Sequence, residues 1–477
     1  MKTARLKRPQ IAPAEPSWWL REALAAETGD GEQETPPPSD VDVAIVGGGY
    51  TGLWTALALR DRAPSLSVAV LEAQICGAGA SGKNGGFVHG YWSALPRNAQ
   101  TFGDGPALEI ARLGTLAQDA LRAFCTTPAV DVWWREDGIV KIACSPQQEE
   151  NVERLIATTR RLGVAQQAVP LSQAQVRARC ESPVFRRGVL MTEGATVQPA
   201  RLARALRRAA LGQGVAVAEG AAICGLRSGA PNVLRTSGGE VRAHDVVLAS
   251  NATLAGWPGL KRKLTNFSSF MVVTEPVPEK LRTLGWTGGE GLDDARMFVH
   301  YFRTTPDGRV AMGSGSGPLA FDGRLSRSLI DDAATAARAE TALRRLLPGL
   351  GDARVTHAWG GPIDVAADHL PFCGTLPGTR VHYGCGYSGH GVNPSWIAGQ
   401  TLASLVLRQD DEWARSPFAR PNVPSFPPEP LRFLGGRLIR ASQIRCEEAD
   451  EDEERAPLYA RLGAALPRIF GLNVGTR

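Results

Sequence analysis

Three glycines, Gly47, Gly49 and Gly52, stand in the spacing G-x-G-x-x-G, and Glu72 follows twenty residues after the last of them. Residues of these types at these intervals do the chemistry of dinucleotide binding. Gly47 suits a tight turn, Gly49 lets backbone approach a pyrophosphate, and Gly52 lets a helix pack on a strand. Glu72 can accept from the ribose hydroxyls, and a carboxylate there argues against the 2′-phosphate of NADP. A few residues later the chain reads GAGASGKNGGF, five glycines with Lys83 as the one charged side chain. A nicotinamide enzyme needs no such second loop. A flavin enzyme can use it where the chain recrosses the pyrophosphate and runs beneath the ring. A third glycine-rich turn, GYSGHGV, precedes the last strongly apolar helix-like stretch. N–H groups at that turn and helix start suit a ring that becomes anionic on reduction.

These residues need elements to position them. VDVAIV is a short apolar run that fits a strand buried on both faces, LWTALALRDRA has helical spacing, and SLSVAVLEA returns to strand, so residues 41 to 72 read as one βαβ unit. Helix-like stretches over 104–124 and 147–163 flank the strand-like VDVWWREDGIVKIA. A second α/β stretch starts near residue 186, and residues 265 to 315 alternate strand patterns with turn signals such as TPDGR. Trp359-Gly360-Gly361-Pro362 reads as a turn. The tail is Pro-rich, then basic and apolar (LRFLGGRLIRASQIR), then acidic (EEADEDEE). No internal repeat is present.

Taken together, SWWL, VAIVGGGYTGLWTALAL, LEA with GASGKNGGF, GVAV, VVLASNA, FMVVTEP, YFRTTPDGRV and GCGYSGHGV resemble the FAD-dependent oxidoreductases of the D-amino-acid oxidase superfamily. Within it they are most similar to the amine-oxidising branch of the γ-glutamylputrescine oxidases. The resemblance covers nearly the whole chain. It implies an α/β, two-domain fold in which a discontinuous Rossmann-like FAD-binding domain is interleaved with a mixed-sheet substrate domain. The expected boundaries are an arm over 1–40, FAD-binding parts over 41–95, 186–260 and 351–408, substrate parts over 96–185 and 261–350, and an extension over 409–477.

By the same resemblance, Gly47, Gly49, Gly52 and Glu72 would bind the ADP half, with the Val217 backbone on the adenine. Ser81, Gly82, Lys83, Asn84, Gly85 and Gly86 would meet pyrophosphate and ring, and Gly386, Gly389, His390, Gly391 and Val392 would close over the flavin's carbonyl edge. Relatives that oxidise α-amino acids carry an arginine in a G-x-R-P turn, whose fork holds the substrate carboxylate. Here Gly361 takes that place, which favours an amine. No cysteine adjoins Gly360, so the FAD is expected to be non-covalent.

Lys83 and His390 are the catalytic candidates, a cation and a donor beside the flavin, each with a bland alternative as loop-tip lysine or structural histidine. Tyr301 and Arg303 share one strand face and are candidate substrate contacts. Asp364 could attract an ammonium or cap a turn. The expected reaction is hydride transfer from an amine to flavin, then imine hydrolysis, with oxygen reduced to hydrogen peroxide. A dehydrogenase passing electrons to a quinone, or a non-catalytic flavin-binding subunit, are the alternatives. Polyamine derivatives, N-methylated amines, aminoaldehydes and aminophosphonates all fit as substrate.

Composition excludes other classes. Net charge is +5, yet the basic residues are spread over all 477 positions without a cluster, which argues against nucleic acid. Only 7 of the 53 basic residues are lysine, a bias of GC-rich bacterial coding. The eight cysteines show no metal-ligand spacing, so no metal is expected and the chain reads as cytoplasmic, with reduced thiols. MKTARLKRPQIAPAEP leads into no apolar core of a secretion signal. No run can span a bilayer, and LRFLGGRLIRASQIR is expected to dock on the protein's own surface rather than on a membrane.

Overall fold

In the computed structural model, residues 16–27 and 36–469 are described; the basic first fifteen residues and the last eight lie outside them. Strand β1 (Asp40–Val46) runs parallel to β2 (Val68–Leu71) on one side and to β11 (Gly239–Leu248) on the other. The connection from β1 to β2 is the helix Tyr50–Arg62, buried along its first ten residues. Beyond β2 lies the edge strand β8 (Ala216–Ala218). Beyond β11 lie β18 (Val381–Cys385) and β17 (Phe372–Thr375), while β9 (Ile223–Arg227) and β10 (Asn232–Thr236) extend a hairpin from β11. Val43, Ala44, Ile45 and all of β2 are buried, as continuous apolar runs predict.

The second sheet has the order β16 (Val355–Ala366), β12 (Leu264–Thr274), β15 (Val310–Ser314), β14 (His300–Thr304), β13 (Gly291–Asp294), β4 (Ile139–Ile142), β6 (Gly188–Met191) and β5 (Ala168–Leu171). A two-stranded pair, β3 (Phe87–Val88) and β7 (Ala195–Thr196), lies between the two large sheets in the chain's course. The α/β fold with two interleaved sheets follows the expectation.

Several local readings change. WGGP is not a turn: Trp359 to Pro362 sit in mid-strand, paired with Met271 to Ser268. Pro362 is tolerated because β16 is an edge strand, where a missing N–H breaks no ladder on its outer side. Strand β16 therefore belongs to the second sheet, and the chain returns to the first only at β17, later than the expected boundary at 351. Likewise β6 pairs in the second sheet, so that crossing comes after 191 rather than at 186. The strand expected from VDVWWREDGIVKIA shrinks to Ile139–Ile142.

The described part of the arm packs on the body. Trp18 and Trp19 are buried in the helix Trp18–Ala26, packed against Trp133, Trp359 and His357. The tail helix Leu431–Glu451 runs through Gly435 and Gly436 without a break. Its acidic end meets the substrate sheet's arginines: Glu447 and Glu451 pair with buried Arg296, and Glu451 also with Arg345. Those ion pairs, with Arg440 donating to the carbonyls of Ser316 and Gly317, hold the tail on the protein surface. Among the described residues no helix is long and apolar enough to cross a membrane.

Candidate active site

Each predicted phosphate glycine has a geometric reason. Gly47 is left-handed (φ +114°), and a Cβ there would come within 2.6 Å of the Ala249 carbonyl oxygen. A Cβ on Gly52 would lie 2.0 Å from the Gly47 oxygen, so the helix can pack on the turn only through glycine. A Cβ on Gly49 would meet nothing but Ser81, with the Oγ at 2.9 Å. That serine Oγ accepts from the Tyr50 N–H at 2.9 Å and so caps the helix start. The other N–H groups of this first turn have no intrahelical acceptor, and they form a site for anionic oxygens.

Glu72 accepts from the Gly48 N–H at 2.7 Å and from the Gln74 N–H at 2.9 Å. Burial pushes its carboxyl upward. Val217 lies beside it in β8, whose Ala218 carbonyl accepts from the Glu72 N–H. All these residues gather at the carboxyl ends of β1, β2 and β8, where open α/β sheets bind nucleotides.

The second loop is held closed by Asn84, which donates to the Ala80 and Ser81 carbonyls and accepts from the Gly86 N–H at 2.8 Å. From there the chain runs under one face of the second sheet. Lys141, Asp293, Tyr301, Gly313, Met271 and Trp359 are successive cross-strand partners in one row, so their side chains share that face. Trp359 Nε1 donates to the Lys83 carbonyl at 3.0 Å, and a Cβ on Gly361 would lie 3.4 Å from the Lys83 Cβ. The Tyr301 ring lies between Gly313 and Gly85; a Cβ would approach it to 2.0 Å from the first and 2.5 Å from the second. Its hydroxyl shares a 2.8 Å hydrogen bond with Ser269. The Lys83 ammonium has no hydrogen-bond or ion-pair partner among the described residues, and burial lowers its proton affinity.

The third loop is tied to both others. Tyr387 shares a 2.6 Å hydrogen bond with Thr51 in the first loop's helix. Gly386 and Gly389 are left-handed, and a Cβ on Gly391 would meet only Tyr387, at 3.8 Å. His390 meets His89 edge to face, ring centroids 5.2 Å apart. These contacts draw the loops together, Ser81 against Gly49, Tyr387 against Thr51 and the Tyr301 ring against Gly85, with Glu72 and Val217 at the ends of β2 and β8. The glycine cradle at Gly49 and Gly391, and the N–H groups of the helix start between them, fit a flavin dinucleotide.

Two candidates are committed to backbone groups of the loops. Arg303 is 2% exposed; its guanidinium donates to the carbonyls of Gly86 and Val197 and lies over Trp19, and burial pushes its pKa down to about 9. Asp364 is fully buried beneath the third loop, where its carboxylate accepts from the N–H groups of Gly386 and Tyr387 and from Asn251, and burial pushes its pKa up to about 7. Sequence reading missed His89, Lys141, Glu193 and Asp293, which line a cleft further along the same sheet face. The scarcity of lysine that singles out Lys83 applies equally to Lys141. Among the described residues one group could hold a metal, Asp294, His300 and Glu451. Arg296 and Arg345 already occupy Glu451, which makes it an ion-pair network.

The sequence profile described as "FAD dependent oxidoreductase" (DAO) matches residues 42–405. A γ-glutamylputrescine oxidoreductase of Escherichia coli is 29% identical over 402 residues, covering 84% of this chain and 89% of the relative. A sarcosine oxidase beta subunit of Rhizobium meliloti is 25% identical over 400 residues, covering 79% and 86%. The crystal structure of glycine oxidase from Geobacillus kaustophilus superposes with a TM-score of 0.64 at 23% identity, over 80% of this chain and 98% of that one, and so shares the fold.

Proposed function

From a chain that belongs to the DAO family of FAD-dependent oxidoreductases, we infer an enzyme that oxidises a primary or secondary amine and returns the electrons to oxygen as hydrogen peroxide. The three converging loops would hold FAD without a covalent bond: Gly47, Gly49 and Gly52 at the pyrophosphate, Glu72 and Val217 at the adenosine, Ser81 to Gly86 and Gly386 to Val392 at the ring. Bound there, FAD supplies a two-electron acceptor for hydride from the carbon beside the amine nitrogen, leaving an imine that water hydrolyses to a carbonyl compound and ammonia or a smaller amine.

The chain's own part is orientation and exclusion of water. Tyr301, clamped between two glycines and pinned by Ser269, walls the substrate side. Lys83 is the candidate cation for the oxygen half-reaction, and His390 a candidate donor at the ring's edge. The observation that carries the amine assignment is the state of the arginines on this face: Gly361 brings no side chain, and Arg303 is committed to two carbonyls. An α-carboxylate therefore lacks its bidentate partner here. The relative from E. coli, named for γ-glutamylputrescine, supports an amine of this kind.

The test is an anaerobic amine panel. Loss of the oxidised-flavin absorbance identifies substrates, and peroxide on admission of air identifies the acceptor. Bleaching only with α-amino acids would refute the amine reading; bleaching with no reoxidation by air would move the acceptor to a quinone.

A further inference from the structure

The family profile begins at residue 42, so the helix Trp18–Ala26 and its cap lie outside it. That helix nevertheless reaches the second glycine loop. Ser17 is 2% exposed, and its Oγ donates to the Gly82 carbonyl at 2.6 Å while accepting from the Leu20 N–H at 3.1 Å. One hydroxyl thus caps the arm helix and holds the loop. We propose that the arm helix is a working part of the flavin site, with Ser17 and Trp19 as positioning residues that fix the backbone of loop 81–86 for the reduced ring. The proposal rests on the reading that this loop meets the flavin.

Three carbonyls of the loop are held from the arm's side. Ser17 holds that of Gly82 directly. The Lys83 carbonyl accepts from Trp359 Nε1, and the Trp359 ring meets fully buried Trp19 edge to face, centroids 6.2 Å apart. The Gly86 carbonyl accepts from Arg303, whose guanidinium lies 5.7 Å from the centroid of the same Trp19 ring. Trp19 therefore backs both side chains that hold the loop beyond Gly82. It is itself fixed to the body, since Gln198 donates to its carbonyl at 2.7 Å and Glu22, three residues on, pairs with Arg201.

The consequence is the direction of the loop's donors. In a trans peptide the C=O and N–H point opposite ways, and the bond between Lys83 and Asn84 is trans. With its oxygen drawn to Trp359, that peptide aims the Asn84 N–H away from the arm. Neither this N–H nor that of Gly85 has an acceptor among the described residues, whereas the Lys83 N–H is spent on the Ala80 carbonyl at 3.2 Å. Two adjacent donors are left open. Fixed donors stabilise a ring that gains negative charge on reduction more than the neutral oxidised ring. Gly82, Gly85 and Gly86 give this loop much backbone freedom to lose, and the arm removes part of it before FAD binds.

The test compares Ser17→Gly, Ser17→Ala and Trp19→Leu with the wild type, each full-length and FAD-loaded. Both Ser17 variants lose the Gly82 contact, but glycine is a far better helix cap than alanine. Each variant should bind reduced flavin about ten-fold more weakly relative to oxidised flavin, a midpoint potential about 30 mV lower for a two-electron couple, read anaerobically against a reference dye. Hydrogen exchange of a peptide spanning 80–88 should quicken in the same variants. Asn84→Ala, which opens the loop from within, is the control and should move the potential whatever the arm does.

Wild-type potentials and exchange in all three arm variants, with a shift in Asn84→Ala, would overturn the proposal and leave the loop at the flavin. A larger shift for Ser17→Ala than for Ser17→Gly, in step with lost thermal stability, would overturn it too, because helix capping alone would then account for the effect. No shift in any variant, Asn84→Ala included, would remove the flavin from this loop and the proposal with it.

Discussion

Asp364 separates two roles that a carboxylate in this position could have. Its oxygens accept from two backbone N–H groups of the third loop and from the Asn251 amide, and the Ser388 N–H bonds its own carbonyl at 2.8 Å. Asp364→Ala leaves the Gly386 and Tyr387 N–H groups buried without an acceptor. At about 1–3 kcal/mol each, and with water entering part of the vacated space, the net cost is about 3 kcal/mol. If loop 386–392 must be ordered to bind FAD, that cost appears as roughly a hundred-fold loss of FAD affinity, measured by flavin fluorescence quenching on the apo-protein near pH 6. The pH dependence follows from burial, which raises the folded pKa from 3.8 to about 7. The folded state then holds a proton that the unfolded state has released between those values. The stabilisation it brings is complete below about pH 4 and lost as pH rises through 7. The stability deficit of the alanine variant should therefore shrink from pH 5 to pH 8. Wild-type FAD affinity combined with a raised KM for amines would refute the argument and return Asp364 to the role of ammonium anchor.

Lys83→Met should slow flavin reduction or reoxidation in stopped-flow traces with FAD still bound; unchanged rates in both half-reactions would make it a bystander. Arg303→Met strands the Val197 carbonyl, while that of Gly86 keeps the Val197 N–H, and should destabilise the protein by about 1–3 kcal/mol, read by denaturation, without changing which amines are oxidised. Gly313→Ala drives a methyl into the Tyr301 ring; overpacking of this kind costs about 1–3 kcal/mol, and the displaced ring should raise KM more than it lowers kcat. Glu447→Ala removes one carboxylate from Arg296, whose side chain is 8% exposed, and frees the Met297 and Phe298 N–H groups. Unpairing a buried charge costs about 3 kcal/mol or more, so helix Leu431–Glu451 should become the first site of limited proteolysis.

How far the site could be read in advance differs from residue to residue. Gly47, Gly49, Gly52 and Glu72 were legible because their roles are local: a turn, a close approach and a helix contact all lie within one βαβ unit. WGGP misled because Gly-Gly-Pro signals a turn, whereas the eleven partners that β12 offers β16 hold the segment extended. Arg303 was placed on the right element, while Asp364, read as following a turn, lies within strand β16; what each side chain faces depends on Val197 and on loop 386–388, distant in sequence.

The sequence by itself determined the cofactor class and the α/β fold, because glycine spacing and hydrophobic period act over a few residues and need no partner to be recognised. Only the tertiary structure decided which charges face which cavity. Lys141 meets Asp293 through a parallel pairing of strands some 150 residues apart, and Glu193 reaches the same cleft from another turn of the chain. Register between such distant strands is set by packing of the whole sheet, and no short stretch of residues carries it.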